Sequence, residues 1–298
     1  MEVAITGASG LIGSALAEAL TRAGHRVARV VRTKPAPESG DIFWDPERAY
    51  VDMLKLDGKD AVVHLAGESI AARWTPEKKT RIHASRLRGT QLMAEAVRQL
   101  SKPPGVLVSA SAVGYYGDRG AEVLREDSPP GQDFLAEVAR DWEAATEAAS
   151  RAGVRVVLLR IGIVLSKRGG ALAQMLTPFR MGVGGQIGSG KQYMSWIAID
   201  DVVGAILHVI EQPSLSGPVN VVAPHPVTNR EFTKTLGKVL SRPTIAPLPA
   251  FIVKLLFGEM GEALLLSSQR VEPARLKESG YTFRYPTLEA ALRHVLSE

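Results

Sequence analysis

Three glycines spaced three apart, Gly7, Gly10 and Gly13, are the residues of this chain whose chemistry is plainest. Gly7 allows a tight turn, Gly10 lets the backbone approach a pyrophosphate, and Gly13 lets a helix pack on the strand before it. A helix that begins there directs its free N–H groups and positive dipole end at the phosphates. The second informative position is Arg32, which follows Val31 at the end of the next apolar run; Thr33 and Lys34 come after it, and no acid appears before Glu38. An acid at that place would accept a hydrogen bond from a ribose 2′-hydroxyl and repel a 2′-phosphate. A guanidinium pairs with the phosphate instead, so the pattern points to NADP(H) rather than NAD(H). Glu68 directly follows Gly67 at the end of another apolar run, where a carboxylate can bind a hydroxyl, hold the ribose or act as a base. His64 lies inside that run and reads as a core histidine. Lys191 reads either as a solvated loop residue or as a contact to an anionic substrate. There is no G-x-S-x-G elbow, no His/Asp/Glu set with metal-ligand spacing, and no cysteine for thiolate chemistry.

These residues need a scaffold, and the hydrophobic pattern supplies one. Val3, Ala4 and Ile5 form an apolar β run, and Leu16, Leu20 and Ala23 mark the helix after the glycines. Residues 26–32 read as a strand, residues 33–40 as a Pro- and Ser-containing loop, and residues 42–44 as a short strand. Residues 60–67 are continuously apolar apart from His64 and predict a buried parallel strand. A long helix is predicted over residues 76–100, a strand over 106–108, a helix over 134–152 and a strand over 154–159. Strands and helices in alternation make an α/β fold: a doubly wound parallel sheet with right-handed crossovers. Glycines at 169, 170, 182, 184, 185, 188 and 190 then suit either a mobile loop that closes over a ligand or ordinary surface turns. Residues 196–203 resume a strand-to-helix pattern with Asp200 and Asp201 at the helix start, and residues 219–222 read as the last strand of the sheet. From Thr228 onward the pattern is mostly helical, broken by prolines at 243–249. The expected division is a Rossmann domain over residues 1–246, with the glycine-rich insertion near 166–195, and a helical module over 247–298.

Bulk properties narrow the class. The 298 residues are 45% apolar and 22% charged, ordinary for a globular protein. No apolar run approaches membrane-span length and no signal peptide is visible, so a cytoplasmic protein with no membrane partner is expected. The net charge of +5 is spread among acids, which fits a solvated surface or an anionic cofactor better than nucleic acid.

With these residues in place, the chain resembles the extended short-chain dehydrogenase/reductase superfamily over nearly its whole length. The resemblance rests on residues 6–13, residues 60–67, Leu159-Arg160, and the stretch from Gly188-Ser189-Gly190-Lys191-Gln192 through Ile199-Asp200-Asp201-Val202. Within it, the chain is similar to the epimerase-like subgroup labelled nucleoside-diphosphate-sugar epimerases. The marks are Leu65-Ala66-Gly67-Glu68-Ser69-Ile70, Arg73-Trp74, Ser85-Arg86-Leu87, Tyr115-Tyr116-Gly117, Trp142-Glu143, Tyr193-Met194-Ser195-Trp196-Ile197 and a helical C-terminal module. The resemblance implies cofactor contacts from Gly7, Ser9, Gly10, Leu11, Ile12 and Gly13, from Val31 and Arg32, and from Leu65, Ala66, Gly67 and Glu68. Arg86 stands where relatives usually carry an asparagine, and it either reaches a phosphate or replaces a structural hydrogen bond. Dimers are common among such relatives, which makes a homodimer an expectation.

Catalysis is where the chain departs from the pattern. Superfamily enzymes use Tyr-x-x-x-Lys with an upstream serine, the lysine favouring the tyrosinate. Counting from Ser111, the tyrosine place holds Phe134 and the lysine place Val138, neither of which moves a proton. Ser111 remains, and Tyr115 or Tyr116 can serve as general acid or simply line the pocket or pack. The expected function is an NADP(H)-binding oxidoreductase or epimerase acting on a small polar or sugar-nucleotide-like molecule, with Ser111 and Tyr115 or Tyr116 handling the proton. The alternative is a catalytically silent NADPH-binding sensor or partner-binding protein.

Overall fold

The computed structural model describes residues 1–297. Strand β1 (Glu2–Thr6) enters the glycine turn and helix α1 (Leu11–Arg22) leaves it. There follow β2 (Arg26–Val31), β3 (Ile42–Asp45), β4 (Tyr50–Val51), the short α2 (Met53–Leu56), β5 (Ala61–His64) and the long α3 (Pro76–Gln99). Next come β6 (Val106–Ala112), a 3₁₀ turn at Val113–Tyr116, β7 (Val123–Leu124), α4 (Phe134–Ala144), α5 (Glu147–Arg151) and β8 (Arg155–Ile161). The remainder contains β9 (Ile163–Leu165), α6 (Gly170–Arg180), β10 (Tyr193–Met194), β11 (Trp196–Ala198), α7 (Ile199–Glu211), β12 (Gly217–Val221), β13 (Val227–Thr228) and α8 (Asn229–Leu240). The chain continues through α9 (Ala250–Gly261), β14 (Arg270–Val271), α10 (Ala274–Glu278) and α11 (Leu288–Ser297).

Eight strands form one sheet in the order β12-β8-β6-β5-β1-β2-β3-β4. All neighbours pair in parallel except β3 with β4. The order reverses beside β1, so ligand-binding loops gather at the carboxyl ends of β1, β2 and β5. Alternate residues of each strand feed opposite layers. Val3 and Ile5 pack with Leu16 and Leu20 of α1 and Val202 and Ile206 of α7. Ala4 and Val62 pack with Met93 and Val97 of α3 and Ala149 of α5. A third cluster joins Trp196, Phe232, Leu236, Leu288 and Leu292 under α8 and α11.

Two strand and helix ends fall short of the pattern for visible reasons. Strand β5 stops at His64 because the next two N–H groups, of Leu65 and Ala66, go to the Thr6 hydroxyl at 3.0 and 3.1 Å instead of to a ladder. The helix expected over 134–152 is two helices, broken where the Thr146 hydroxyl donates to the Glu143 carbonyl at 2.7 Å. The glycine-rich stretch is pinned rather than loose. Gln186 and Gly188 share backbone hydrogen bonds with Leu248, and Gln192 donates to the carbonyls of Ile187 and Leu265. A Cβ on Gly185 would stand 2.0 Å from the Ala246 oxygen, so close packing accounts for that glycine. The C-terminal segment is tied back in turn: β14 pairs with β7, and buried Asp201 accepts N–H groups from Arg284 and Tyr285 at 2.7 and 2.9 Å.

Candidate active site

The glycine turn is shaped as the sequence requires. Gly7 has φ +66°, and a Cβ there would meet Leu65 and Ala66 at 3.0 Å. A Cβ on Gly13 would stand 2.2 Å from the Gly7 carbonyl oxygen, so only glycine lets α1 sit this close to the turn. Gly10 donates its N–H back to Gly7 at 2.9 Å and begins α1. That helix start has no side-chain cap and no acid in its first turn. By contrast, Thr75, Asp133 and Thr228 cap α3, α4 and α8 through their side chains. The first N–H groups of α1 thus stay open toward the cradle, alongside Ser9, Leu11 and Ile12, a donor set suited to a pyrophosphate.

Thr6 holds the turn from below. Its oxygen accepts from Leu65 and Ala66, so its own proton goes to Nδ1 of His64 at 2.9 Å. The imidazole proton is then on Nε2, buried edge-on to Trp44 and without a hydrogen-bond partner among the described residues. Burial pushes the His64 pKa down to about 4 and keeps the ring neutral. His64 is the core histidine that its position predicts.

Val31 closes β2, and Arg32 stands exposed just beyond it, with no ion pair to any described residue. Across β1, Glu68 receives the Lys78 ammonium at 2.6 Å and gives its carbonyl to Arg86 at 3.0 Å. Lys78 first, against burial, holds the Glu68 carboxyl below its usual range, and the charges of Lys78, Arg81 and Arg32 add to the effect. Arg86 also donates to the Ile82 carbonyl and lies 4.9 Å from the Trp142 ring; its guanidinium packs against Gly67. Burial lowers its pKa to about 10, so it remains a cation with donors to spare at the edge of the cradle.

At the other end of the sheet edge the arrangement is ionic. Arg160, 3% exposed, forks onto Glu143 of α4 at 2.8 and 2.9 Å. Ser111, at the end of β6, donates its hydroxyl to the same carboxylate at 2.7 Å. With its proton committed there, Ser111 offers only acceptor lone pairs to a third group. Burial opposes the Arg160 charge, but Glu143 outweighs it, and the guanidinium pKa is raised. Arg160 also stacks on Tyr115, 3.5 Å from its ring centre.

The two tyrosines that the sequence leaves equivalent are not alike. Tyr116 is fully buried; its hydroxyl donates to Asn220 at 2.7 Å and accepts from Arg160 at 3.0 Å. Burial pushes its pKa up to about 12. A phenol so enclosed is no proton donor to a substrate, and Tyr116 belongs to the packing. Tyr115 is half-buried, and its hydroxyl bonds to no other described residue. Phe134 packs edge-on against Trp74 and under the Lys79 ammonium, and Val138 is buried. No proton-transfer pair occupies those two places.

Sequence reasoning passed over Lys78, and it saw Arg160 and Glu143 only as marks of resemblance. Arg160 did carry a signal: a lone charge inside the apolar run of β8 must find a partner. Asn220, in the same position within β12, carried another. Nothing local announces Glu143 or Lys78.

Among the described residues no helix is long and apolar enough to cross a membrane. A profile of the NAD dependent epimerase/dehydratase family matches residues 3–223, and a domain of unknown function, DUF1731, matches residues 248–295. An epimerase family protein of Mycobacterium tuberculosis is 45% identical over 291 residues, 97% of this chain and 96% of its own. One from Arabidopsis thaliana, described as chloroplastic, is 42% identical over 99% of this chain and 87% of its own. The crystal structure of the human epimerase family protein SDR39U1 with NADPH superposes with a TM-score of 0.92 at 40% identity, covering 100% of this chain and 99% of that one.

Proposed function

The chain belongs to the NAD dependent epimerase/dehydratase family, and from that premise we propose an NADP(H)-binding, epimerase-like oxidoreductase acting on a small polar or sugar-nucleotide-like molecule. One observation carries the cofactor reading: Arg32 stands exposed and without an ion pair at the lip of a glycine cradle whose helix start is uncapped and free of acids. A human relative crystallised with NADPH supports it. Gly7, Gly10 and Gly13, with Ser9, Leu11 and Ile12, would hold the pyrophosphate. Val31 and Arg32 would hold the phosphorylated ribose, Leu65 to Glu68 the adenosine side, and Arg86 a phosphate or its neighbouring ribose.

The cofactor, when bound, supplies hydride transfer. The protein's part is to orient and to move a proton. Ser111 accepts a hydrogen bond from a substrate hydroxyl while Glu143 fixes the direction of its own proton. Tyr115 is the residue placed to exchange a proton, its ring held flat by Arg160. The same reading puts the protein in the cytoplasm and gives it a small molecule, not nucleic acid, as partner. The specific arrangement of Phe134 and Val138 favours a second reading, an NADPH binder without turnover. Tyr115→Phe separates the two: it abolishes turnover under the first and changes nothing under the second.

Fluorescence titration tests the cofactor assignment. NADPH is expected to bind at least about tenfold more tightly than NADH, a difference of roughly 1.4 kcal/mol. Arg32→Asp is expected to reverse the order. Equal affinities in the unaltered protein would remove the assignment.

A further inference from the structure

Lys78 is drawn almost wholly into the protein, its side chain 10% exposed and its ammonium 2.6 Å from the Glu68 carboxylate. The sequence around it offers water on every side, since Glu77 and Arg81 of the same helix are exposed. Its partner is fixed from three directions. The Glu68 N–H goes to the Ser85 hydroxyl at 3.1 Å, the Glu68 carbonyl takes Arg86, and the carboxylate takes Lys78. Glu68 nevertheless remains partly exposed at the lip of the cradle.

Two guanidinium groups lie near this carboxylate, Arg32 from the end of β2 and Arg81 from α3, and both help to hold it ionised. Neither forms an ion pair or a hydrogen bond with any described residue. Strand β1 lies between β2 and β5, so Arg32 and Glu68 flank the glycine turn on its two sides. An unpaired carboxylate in that position would attract both arginines and repel a phosphate brought between them. Lys78 prevents this by occupying the acid.

Resting on the NADP(H) reading above, we propose that Lys78 is a cofactor-specificity residue: by engaging Glu68 it leaves Arg32 and Arg81 available to the 2′-phosphate. Glu68 is then a guarded acid that would select against NADP(H) if released. Arg81 is a second phosphate ligand beside Arg32, which a bidentate or two-guanidinium grip on three phosphate oxygens would use.

The test is a binding cycle in Lys78→Met, Glu68→Gln, the double variant and Arg81→Ala, titrated with NADPH, NADH, 2′,5′-ADP and 5′-AMP. Lys78→Met is expected to weaken NADPH and 2′,5′-ADP by about tenfold, while NADH and 5′-AMP move by less than about twofold. The double variant recovers most of the loss, because the released acid is gone. Arg81→Ala weakens only the 2′-phosphorylated ligands. Equal weakening of all four ligands by Lys78→Met, or no recovery in the double variant, would assign Lys78 to folding and overturn the proposal. If the unaltered protein prefers NADPH and Arg32→Asp reverses the preference while Lys78→Met leaves it alone, the proposal fails and the cofactor reading stands. If the unaltered protein shows no preference, both fail.

Discussion

At the carboxyl end of β1 the protein presents backbone: a left-handed glycine, an uncapped helix start and a carbonyl that leaves no room for a Cβ. At the carboxyl ends of β6 and β8 the same sheet presents a buried carboxylate, a buried guanidinium and the hydroxyls of Ser111 and Tyr116 locked to them. The first surface is ready for a ligand that brings its own charge. The second has satisfied its charges internally and leaves one phenol, Tyr115, uncommitted. Binding and chemistry on this chain are therefore built from different materials, and they break in different ways.

The largest effect belongs to the ionic edge. Arg160→Met leaves Glu143 buried without its cation, and a loss of about 3–5 kcal/mol is expected in urea unfolding. Arg160→Met combined with Glu143→Gln should recover part of it. A loss below about 1 kcal/mol would show that the pair is not the support of this edge. The cradle should respond to shape rather than to charge. Gly13→Ala forces a Cβ against the Gly7 carbonyl, and about 1–3 kcal/mol of stability is expected to go, together with most of the NADPH affinity. Retained NADPH affinity in Gly13→Ala would mean that the turn relaxes without consequence.

The one buried titratable group beneath the cradle sharpens the contrast. His64 is held neutral, with its pKa at about 4 against an ordinary 6.5. Between those values the unfolded chain binds more protons than the folded one, so this contribution is fully present above pH 6.5 and is lost as the pH falls toward 4. From pH 7 to pH 5 it amounts to roughly 2 kcal/mol. Urea midpoints of the unaltered protein and of His64→Gln, compared across that range, should converge as the pH drops. Parallel curves would contradict it.

The same contrast explains what could be read before folding. The cradle is local: residues 6–13 carry its turn, its close approach and its helix start within two turns of chain, and Arg32 follows one strand later. Local geometry leaves a local signature. Alternation of apolar runs likewise made the parallel sheet and its two helical layers legible. The β6–β8 edge gathers Ser111, Tyr116, Glu143, Arg160 and Asn220 from five separate elements, and no spacing relates them. Tyr115 and Tyr116 are adjacent in sequence, so only the fold decides which is enclosed. Lys78 looks like any helix lysine until Glu68 is seen beside it. The pinning of the glycine-rich stretch also depends on Leu248 and Ala246, some sixty residues away, as the Gly185 and Gly188 contacts show.

A crystal structure of the NADPH complex tests the division most directly, because it observes both ends of the groove at once. The account predicts the 2′-phosphate against Arg32, the pyrophosphate over the first N–H groups of α1, and the nicotinamide C4 facing Tyr115 and Ser111. A phosphate placed away from Arg32, or a nicotinamide ring that meets neither Tyr115 nor Ser111, would contradict it.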